Sequence, residues 1–358
     1  SPASRPWADL MLSDLAIAPV DPGRGQRVQH AIDAKTKPPG SLGRIEALAL
    51  QLALAQETDA PTADPAHLII FAGDHGLVEE GVSAWPQEVT AQMVLNFLGG
   101  GAAANVFARA NDVNLTVVDA GIASDLPDAP GLVRANIRRG TRNAVREDAL
   151  ATQEVSAALE FGANLVAEHV RNGARIVALG EMGIGNTASA ALLAHAVAGI
   201  DLEALTGPGA GLDPAGVARK CEILTRTAGR RVVDGPEDAL AAFGGLEIAA
   251  MAGALIGAAH ARTPVLVDGF IATAAALVAL KARPDAIPYA IFAHRSHEPG
   301  HRLMLDHLSA APVLDLDLRL GEGTGALLAI PILRAACAML AEMATFEGAG
   351  VSGRDERG

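Results

Sequence analysis

Short apolar runs of strand type recur along this chain, and most are followed by a polar or glycine-rich loop and then a helical stretch. This alternation is typical of an α/β fold with a doubly wound, mostly parallel sheet. The runs have no fixed period, so they do not indicate a solenoid. The predicted strands are residues 68–72, 115–118, 176–179, 265–267, 290–292 and 313–316.

The composition fits such a fold and narrows its partners. Of the 358 residues, 50% are hydrophobic and only 3% are aromatic, which favours helices packed closely on a buried sheet. The formal net charge of -13, without a basic patch, argues against nucleic acid as a partner. A phosphorylated small molecule stays possible, because it needs only local hydrogen-bond donors.

The expected location is the cytoplasm, without contact to a membrane. No signal peptide opens the chain, and apolar stretches such as residues 248–259 are too short and too rich in Gly and Ala to span a bilayer. Cys221 and Cys337 lie outside any CxxC or Cys/His cluster, which predicts buried free thiols.

A metal site is not expected. The histidines form no HExxH motif. His294, His297 and His301 have helical spacing, but Pro299 and Gly300 interrupt the series, so we predict a loop there.

Residues 174–193 carry the most informative local pattern. An apolar run leads into the loop GEMGIGNT (180–187) and then into a small-residue helix, with Asn186 or Thr187 placed as N-cap. Backbone N–H groups in such a loop and at a helix start favour an anion. Glu181 would repel a phosphate, so we expect it to face a sugar hydroxyl or a cationic ring. The alternative is a tight turn without a ligand, because short glycine motifs also occur by chance.

A second glycine loop with a carboxylate follows the last predicted strand. Glu322 lies in RLGEGTG (319–325), before an apolar helical stretch at 326–344. Poor hydration in this setting would raise its pKa towards that of a useful general base, whereas a Glu322 that points into water would have no such role. Glycosidases also pair two carboxylates. Two glycine-rich anion sites favour a phosphorylated substrate instead.

Polar loops follow every predicted strand at the same end of the sheet, where ligands of open parallel sheets bind. We therefore expect one shared pocket. The loops are residues 74–76, 119–121, 180–183, 268–269, 294–298 and 319–325.

Other segments give weaker signals. Residues 1–30 predict a peripheral helix, Ser41 is a candidate cap for a helix at 42–55, and residues 122–147 predict a surface loop. Pro86 is suited to the first turn of a helix. On the spacing alone, Gln92 is predicted to be a solvated residue of that helix.

Two charged residues belong to helices that follow glycine-rich segments. Lys220 follows the loop TGPGAGLD (206–213), where Asp213 is a plausible N-cap. The ammonium group of Lys220 would reach a phosphate or be solvated. Glu247 opens a small-residue helix and is expected to stabilise the helix dipole or to cap the helix.

Together these segments resemble the nicotinate-nucleotide:5,6-dimethylbenzimidazole phosphoribosyltransferases, which make the lower-ligand nucleotide of cobalamin. The resemblance runs in family order from about residue 30 to the C-terminus. The matching segments are KPPGSLGR (37–44), AGDHG (72–76), GVSAWPQEVTAQM (81–93), GGAAAN (100–105), GEMGIGNT (180–187), TGPGAGLD (206–213), GGLEIAAMAGA (244–254), DGFIATAAAL (268–277), AHRSHEPGH (293–301) and LDLDLRLGEGTGA (314–326).

The resemblance implies a doubly wound sheet with a small helical lobe, in a homodimer. Residues 61–325 would form the α/β domain, and residues 1–60 and 326–358 the lobe. It also implies phosphoribosyl transfer from nicotinate mononucleotide to 5,6-dimethylbenzimidazole, which gives α-ribazole 5'-phosphate and nicotinate without a metal or cofactor.

The resemblance further implies residue roles. Glu322 is the expected base, which takes a proton from one benzimidazole nitrogen as the other attacks the anomeric carbon, and Glu181 is the second carboxylate. The expected phosphate and ribose contacts are Gly183, Gly185, Asn186, Lys220, Ser296 and Gly325. The expected base pocket contains Ser83, Gln92 and Leu320, with Trp85 beside them.

Trp85 departs from the family pattern, in which Tyr or Phe is expected, and this leaves the preferred acceptor base open. Its indole is expected either to stack on a flat base or to pack against the following helix.

Two rival functions remain at this stage. Residues 183–188 fit GxGxxA, as in a dinucleotide oxidoreductase, but Glu181-Met182 intervenes after the strand, and the acid expected about twenty residues on falls in a loop. The second rival function is that of a non-catalytic nucleotide-binding module. The presence of both Glu181 and Glu322 argues against it.

Overall fold

Six parallel strands form a single sheet in the order β3-β2-β1-β4-β5-β6. A computed structural model describes residues 15–352. The order changes direction between β1 and β4, which confirms the predicted doubly wound α/β class. The strands are β1 (Ala66–Gly73), β2 (Asn114–Gly121), β3 (Leu132–Arg134), β4 (Ile176–Met182), β5 (Val265–Val267) and β6 (Ala290–Phe292).

Helices cover both faces of this sheet. They are α1 (Pro22–Asp33), α2 (Arg44–Ala55), α3 (Glu88–Leu98), α4 (Ala103–Ala110), α5 (Thr152–Arg171), α6 (Asn186–Ala198), α7 (Leu202–Leu205), α8 (Pro214–Ala228), α9 (Pro236–Phe243), α10 (Leu246–His260), α11 (Phe270–Ala282), α12 (Pro299–His307), α13 (Thr324–Glu342) and α14 (Phe346–Ala349). Two 3₁₀ helices are Gly76–Glu80 and Pro284–Tyr289.

The strands are apolar at successive positions because both sides of the sheet are buried. In β1, Ile69 and Phe71 pack in one hydrophobic core with α5, α6, α10 and α11. Leu68 and Ile70 pack in a second core with α2, α3, α4 and α13. The two cores hold the strand ends in place, and the loops at those ends build the site.

Two sheet predictions are wrong. Residues 313–316 form no strand. The segment meets β6 only at its last residue, where the Val313 N–H donates to the Phe292 carbonyl, and Leu314 then bridges to His294 in the loop that follows. Within residues 122–147, predicted as a surface loop, lies the edge strand β3. Its three residues are half-buried, and the surrounding charges and prolines obscure them in the sequence.

Several helix starts also differ from prediction. Helix α6 begins at Asn186 and its N-cap is Gly185, with φ of +89°, so neither Asn186 nor Thr187 is the cap. Ser41 does not cap α2, because the Glu46 carboxylate already accepts the nearby N–H groups of Gly40 and Leu42. Asp213 does cap α8, through a 2.7 Å bond from the Gly216 N–H.

The histidine series and the cysteines were partly predicted. His294 and His297 lie in a loop, but Pro299 starts helix α12, which contains His301; a proline fits the first helical turn because its missing N–H is not needed there. Cys337 is buried, and burial raises the pKa of its thiol to about 11, whereas Cys221 on α8 is partly exposed.

Helices near both ends of the described residues pack together on one face of the sheet, where α13 contacts α2 and β4. Of the predicted helix in residues 1–30, the described part contains the start of α1, and residues 1–14 lie outside the described residues. The division into three segments stays a prediction.

Helix α13 is, within residues 15–352, the one helix long and apolar enough to cross a membrane. Its length matches the apolar stretch predicted at 326–344, so the expectation that the apolar stretches are too short to span a bilayer is wrong for this helix. However, 61% of its apolar window is buried inside the fold, as in a core helix.

Candidate active site

A cavity of about 490 Å³ opens at the carboxyl ends of the strands, where the strand order changes direction. Its volume is in the usual range for small-molecule sites. The lining residues expected from the sequence are Trp85, Glu181, Gly183, Asn186, Ser296, Leu320 and Glu322. The expected residues Ser83, Gly185, Gln92, Lys220 and Gly325 do not line it.

Glu322 lies in a strained turn at the edge of this cavity. It has φ of +62°, between Gly321 at +85° and Gly323 at +78°. For a residue with a Cβ atom, this left-handed conformation costs about 1–2 kcal/mol. The turn persists because it is tightly packed: a Cβ atom on Gly180 of β4 would stand 2.8 Å from the Glu322 carbonyl oxygen. Strain of this kind is characteristic of functional sites.

The Glu322 carboxylate is removed from bulk water, with the residue only 5% exposed. Burial raises the pKa of Glu322, and the negative charge of Asp268 adds to the increase. The N–H of Ala104 opposes it, because it donates a 3.3 Å hydrogen bond to the Glu322 carboxylate. The predicted poorly hydrated Glu322 is therefore confirmed, and the alternative of a side chain that points into water is wrong.

Glu181 is the second buried carboxylate of the cavity, with 6% exposure. Burial raises the pKa of Glu181 to about 8. The side-chain amide of Asn186 donates a hydrogen bond to the Glu181 carboxylate and opposes the increase. The negative charges of Asp268, Glu247 and Glu322 add to the increase. Glu181 therefore holds a proton at neutral pH. Two neighbouring carboxylates can then differ in protonation, as acid/base chemistry requires.

The glycine loop after β4 approaches other backbone segments closely. Gly183 lines the cavity, and a side chain there would run into the Gly73 carbonyl of β1. Gly185 lies behind the cavity wall, where a side chain would collide with Val78 of the first 3₁₀ helix. Both positions require glycine.

Lys220 of α8 is buried rather than solvated. Its Nζ donates to Thr187 Oγ1 at 2.8 Å and to the Gly207 carbonyl at 3.4 Å. Burial lowers the pKa of Lys220 to about 8, and the charge of Glu298 opposes this decrease. Since Thr187 lines the cavity, the ammonium group lies directly behind its wall.

Glu298 was not predicted to be a site residue, although it belongs to the polar loop after β6. It is buried, lines the cavity, and accepts an N–H from Gly209. Burial raises the pKa of Glu298, and the charges of Lys220 and Arg319 oppose this. Ser296 contacts the same residue, because its Oγ accepts the Glu298 N–H at 3.3 Å.

Asp268, at the end of β5, fixes the loop that carries Glu322. Its carboxylate accepts N–H groups of Gly323, Gly325 and Ala326, the last at 2.9 Å. Gly325 is thereby held against the imidazole ring of His294, with no space for a side chain. His294 also lines the cavity, and its Nδ1 is buried without a hydrogen-bond partner among residues 15–352.

Another part of the cavity lining, the apolar wall, consists largely of apolar side chains. Trp85, although 51% exposed, lines the cavity, and its indole N–H donates to the Ala210 carbonyl at 2.8 Å. Ser83 supports this wall through a 3.1 Å bond from the Trp85 N–H, while Gln92 is exposed on α3. The other lining residues not named from the sequence as site residues include Val89, Met93, Met182, Ile184, Phe270 and Ile271.

No group of three or more His, Cys, Asp or Glu residues with the geometry of a metal site occurs in the part of the chain that the structure describes. The fold and the cavity thus define a doubly wound α/β protein that binds small molecules at the switch point of its sheet.

Comparisons with known proteins extend this assignment. A family model described as phosphoribosyltransferase matches residues 17–351. A nicotinate-nucleotide–dimethylbenzimidazole phosphoribosyltransferase from Aromatoleum aromaticum is 53% identical over 343 residues, which cover 95% of this chain and 99% of that protein. The protein of the same name from Cupriavidus necator is 52% identical over 337 residues, with 94% and 97% covered.

A solved structure gives the same result. The crystal structure of CobT from Thermus thermophilus superposes with a TM-score of 0.89 at 44% identity, and covers 94% of this chain and all 100% of that one. The chain belongs to the nicotinate-nucleotide–dimethylbenzimidazole phosphoribosyltransferase family. It is an enzyme, a phosphoribosyltransferase, so the oxidoreductase and the non-catalytic module are excluded.

Proposed function

We propose that this enzyme transfers the phosphoribosyl group of nicotinate mononucleotide to 5,6-dimethylbenzimidazole, and that it acts in the cytoplasm as a homodimer. The products are α-ribazole 5'-phosphate and nicotinate. The observation that carries the proposal is the buried Glu322 carboxylate, held in a strained turn at the edge of a cavity that also has an apolar wall.

In the proposed step, one nitrogen of the benzimidazole attacks the anomeric carbon. The bond between that carbon and the pyridinium nitrogen breaks, and its electron pair leaves with nicotinate. Glu322 takes the proton from the other benzimidazole nitrogen, so the product nucleotide carries a neutral base. A carboxylate with a raised pKa is well matched to this transfer near neutral pH.

Glu181 has a different proposed role. Because its pKa is raised to about 8, it is protonated at neutral pH and adds no second negative charge beside Glu322. We assign it to a ribose hydroxyl, together with Asn186. The phosphate is assigned to the region of Gly183, Ser296 and Lys220, where backbone N–H groups and an ammonium group are close to the cavity.

The proposal is tested with purified protein, nicotinate mononucleotide and 5,6-dimethylbenzimidazole, with nicotinate release followed by liquid chromatography. Release should depend on both substrates. Folded protein that releases no nicotinate, or releases it at the same rate without the acceptor, would refute the proposed reaction.

Trp85 is expected to influence acceptor choice, because its indole forms part of the largely apolar wall. Trp85→Tyr should change the ratio of kcat/KM for dimethylbenzimidazole over single-ring acceptors by about 10- to 200-fold, the usual range for size differences in an apolar pocket. The KM for nicotinate mononucleotide should change little. An unchanged acceptor ratio together with a lowered Tm would show that the ring serves packing alone.

A further inference from the structure

Two of the family segments, AGDHG and GGLEIAAMAGA, contribute no catalytic group to the site described above, yet their charged residues meet beneath it. His75 Nε2 lies 2.6 Å from Glu247 Oε1, and His75 Nδ1 lies 2.9 Å from Ser189 Oγ in α6. All three residues are buried. Glu247 lies in the first turn of α10, as a carboxylate that stabilises the helix dipole would, but its side chain makes no capping hydrogen bond and instead holds a histidine behind the glycine loop.

The neighbouring Asp74 continues this buried network towards the cavity. Its Oδ2 accepts the Ala123 N–H at 2.8 Å, and the hydroxyl of Thr90 in α3 lies beside the same carboxylate. Thr90 Oγ1 in turn accepts the N–H of Ile184 at 3.1 Å.

Ile184 is the middle residue of the glycine loop, between Gly183 and Gly185. Glycines on both sides leave its peptide orientation weakly determined by local sterics. The bond from Thr90 supplies that orientation from outside the loop. Thr90 also belongs to the helix whose residues Val89 and Met93 line the apolar wall, so its hydroxyl links that helix to the glycine loop.

We propose that Thr90 is a positioning residue that holds the glycine loop in the conformation that binds the donor nucleotide, and that the contact between His75 and Ser189 braces α6 behind that loop. This inference rests on the proposed function for the identity of the nucleotide. It makes Asp74, His75 and Glu247 part of the support of the site, not of its chemistry.

Thr90→Val tests the role of the hydroxyl, because valine keeps the shape but cannot accept the Ile184 N–H. The KM for nicotinate mononucleotide should rise by about 5- to 50-fold, as expected when a buried donor loses its acceptor. The kcat and the KM for the acceptor should stay within about threefold of wild type. Thr90→Ser keeps the hydroxyl and should restore the donor KM.

Two further variants separate positioning from general stability. Thr263→Val removes another buried hydroxyl, at the opposite end of the sheet from the cavity, and should leave all KM values unchanged. Ser189→Ala removes the partner of His75 Nδ1 and should raise the donor KM by about two- to fivefold. Tm is measured for each protein.

A Thr90→Val protein with wild-type donor KM would overturn the inference, as would a lower kcat and Tm without a change in KM, or a failure of Thr90→Ser to restore binding. If wild-type protein releases no nicotinate, the proposed reaction fails by itself. Calorimetric binding of nicotinate mononucleotide to wild type and Thr90→Val then decides the loop inference. A wild type that does not bind this nucleotide would refute both.

Discussion

Replacing Glu322 with glutamine should reduce turnover by about a hundredfold or more, the contribution expected of a positioned general base. Glutamine has nearly the same shape and still accepts the Ala104 N–H through its carbonyl oxygen, so folding and nucleotide binding should stay near wild type. Glu342→Gln, an exposed change at the far end of helix α13, is the matched control and should keep full activity. Near-normal turnover by the Glu322 variant would exclude Glu322 as the base.

The pH dependence of the same variant gives a second readout. Burial raises the pKa of Glu322, and only its ionised form accepts a proton. In wild type, kcat/KM for the acceptor should therefore fall as the pH decreases through that raised pKa. The titration of the acceptor itself affects wild type and Glu322→Gln equally. Any decrease of kcat/KM at low pH that occurs in wild type but not in Glu322→Gln is therefore due to Glu322. Identical profiles would contradict the assignment.

Lys220→Met should raise the KM for nicotinate mononucleotide by about 10- to 150-fold, because a charge-assisted hydrogen bond to a phosphate contributes about 1.5–3 kcal/mol. Methionine fills the buried space of the lysine stem but carries no charge. The acceptor KM should change little. Lys281→Met, at an exposed position on α11, is the control and should leave both KM values unchanged.

The pKa of Lys220 predicts that donor binding weakens as the pH rises, whereas the pKa of Glu322 predicts that turnover of the acceptor falls as the pH decreases. Since burial lowers its pKa to about 8, the ammonium group of the free enzyme loses its proton as the pH rises through that value. Donor binding by wild type should weaken there, and Lys220→Met should lack this change. If only the acceptor KM responds to the substitution, Lys220 belongs to another part of the site.

The sheet was predicted well where the strands are short, apolar and buried on both faces. The bounds of β5 and β6 agree with the prediction, since polar segments interrupt the apolar pattern just before or after these short runs. The same pattern failed for residues 313–316, because apolar residues next to aspartates do not reveal whether a sheet edge is available for pairing. β3 was missed because its pairing with β2 is decided by tertiary structure.

The site was predicted unevenly for related reasons. Glycine loops with a carboxylate identify Glu181 and Glu322, because the residue types and their spacing carry the chemistry. The burial of Lys220, the cavity position of Glu298 and the contact of Thr90 with Ile184 depend on which helices pack together. No local pattern of the sequence specifies these contacts, although the segments that contain them were already recognisable.

The most direct test of the account identifies the product of a complete reaction. Wild-type protein, nicotinate mononucleotide and 5,6-dimethylbenzimidazole are incubated together, and the mixture is analysed by mass spectrometry and by NMR of the anomeric proton. The account predicts nicotinate and α-ribazole 5'-phosphate in equal amounts, with the new bond between the benzimidazole nitrogen and the anomeric carbon in the α configuration. A product with the β configuration, or nicotinate released together with free ribose 5-phosphate, would contradict it.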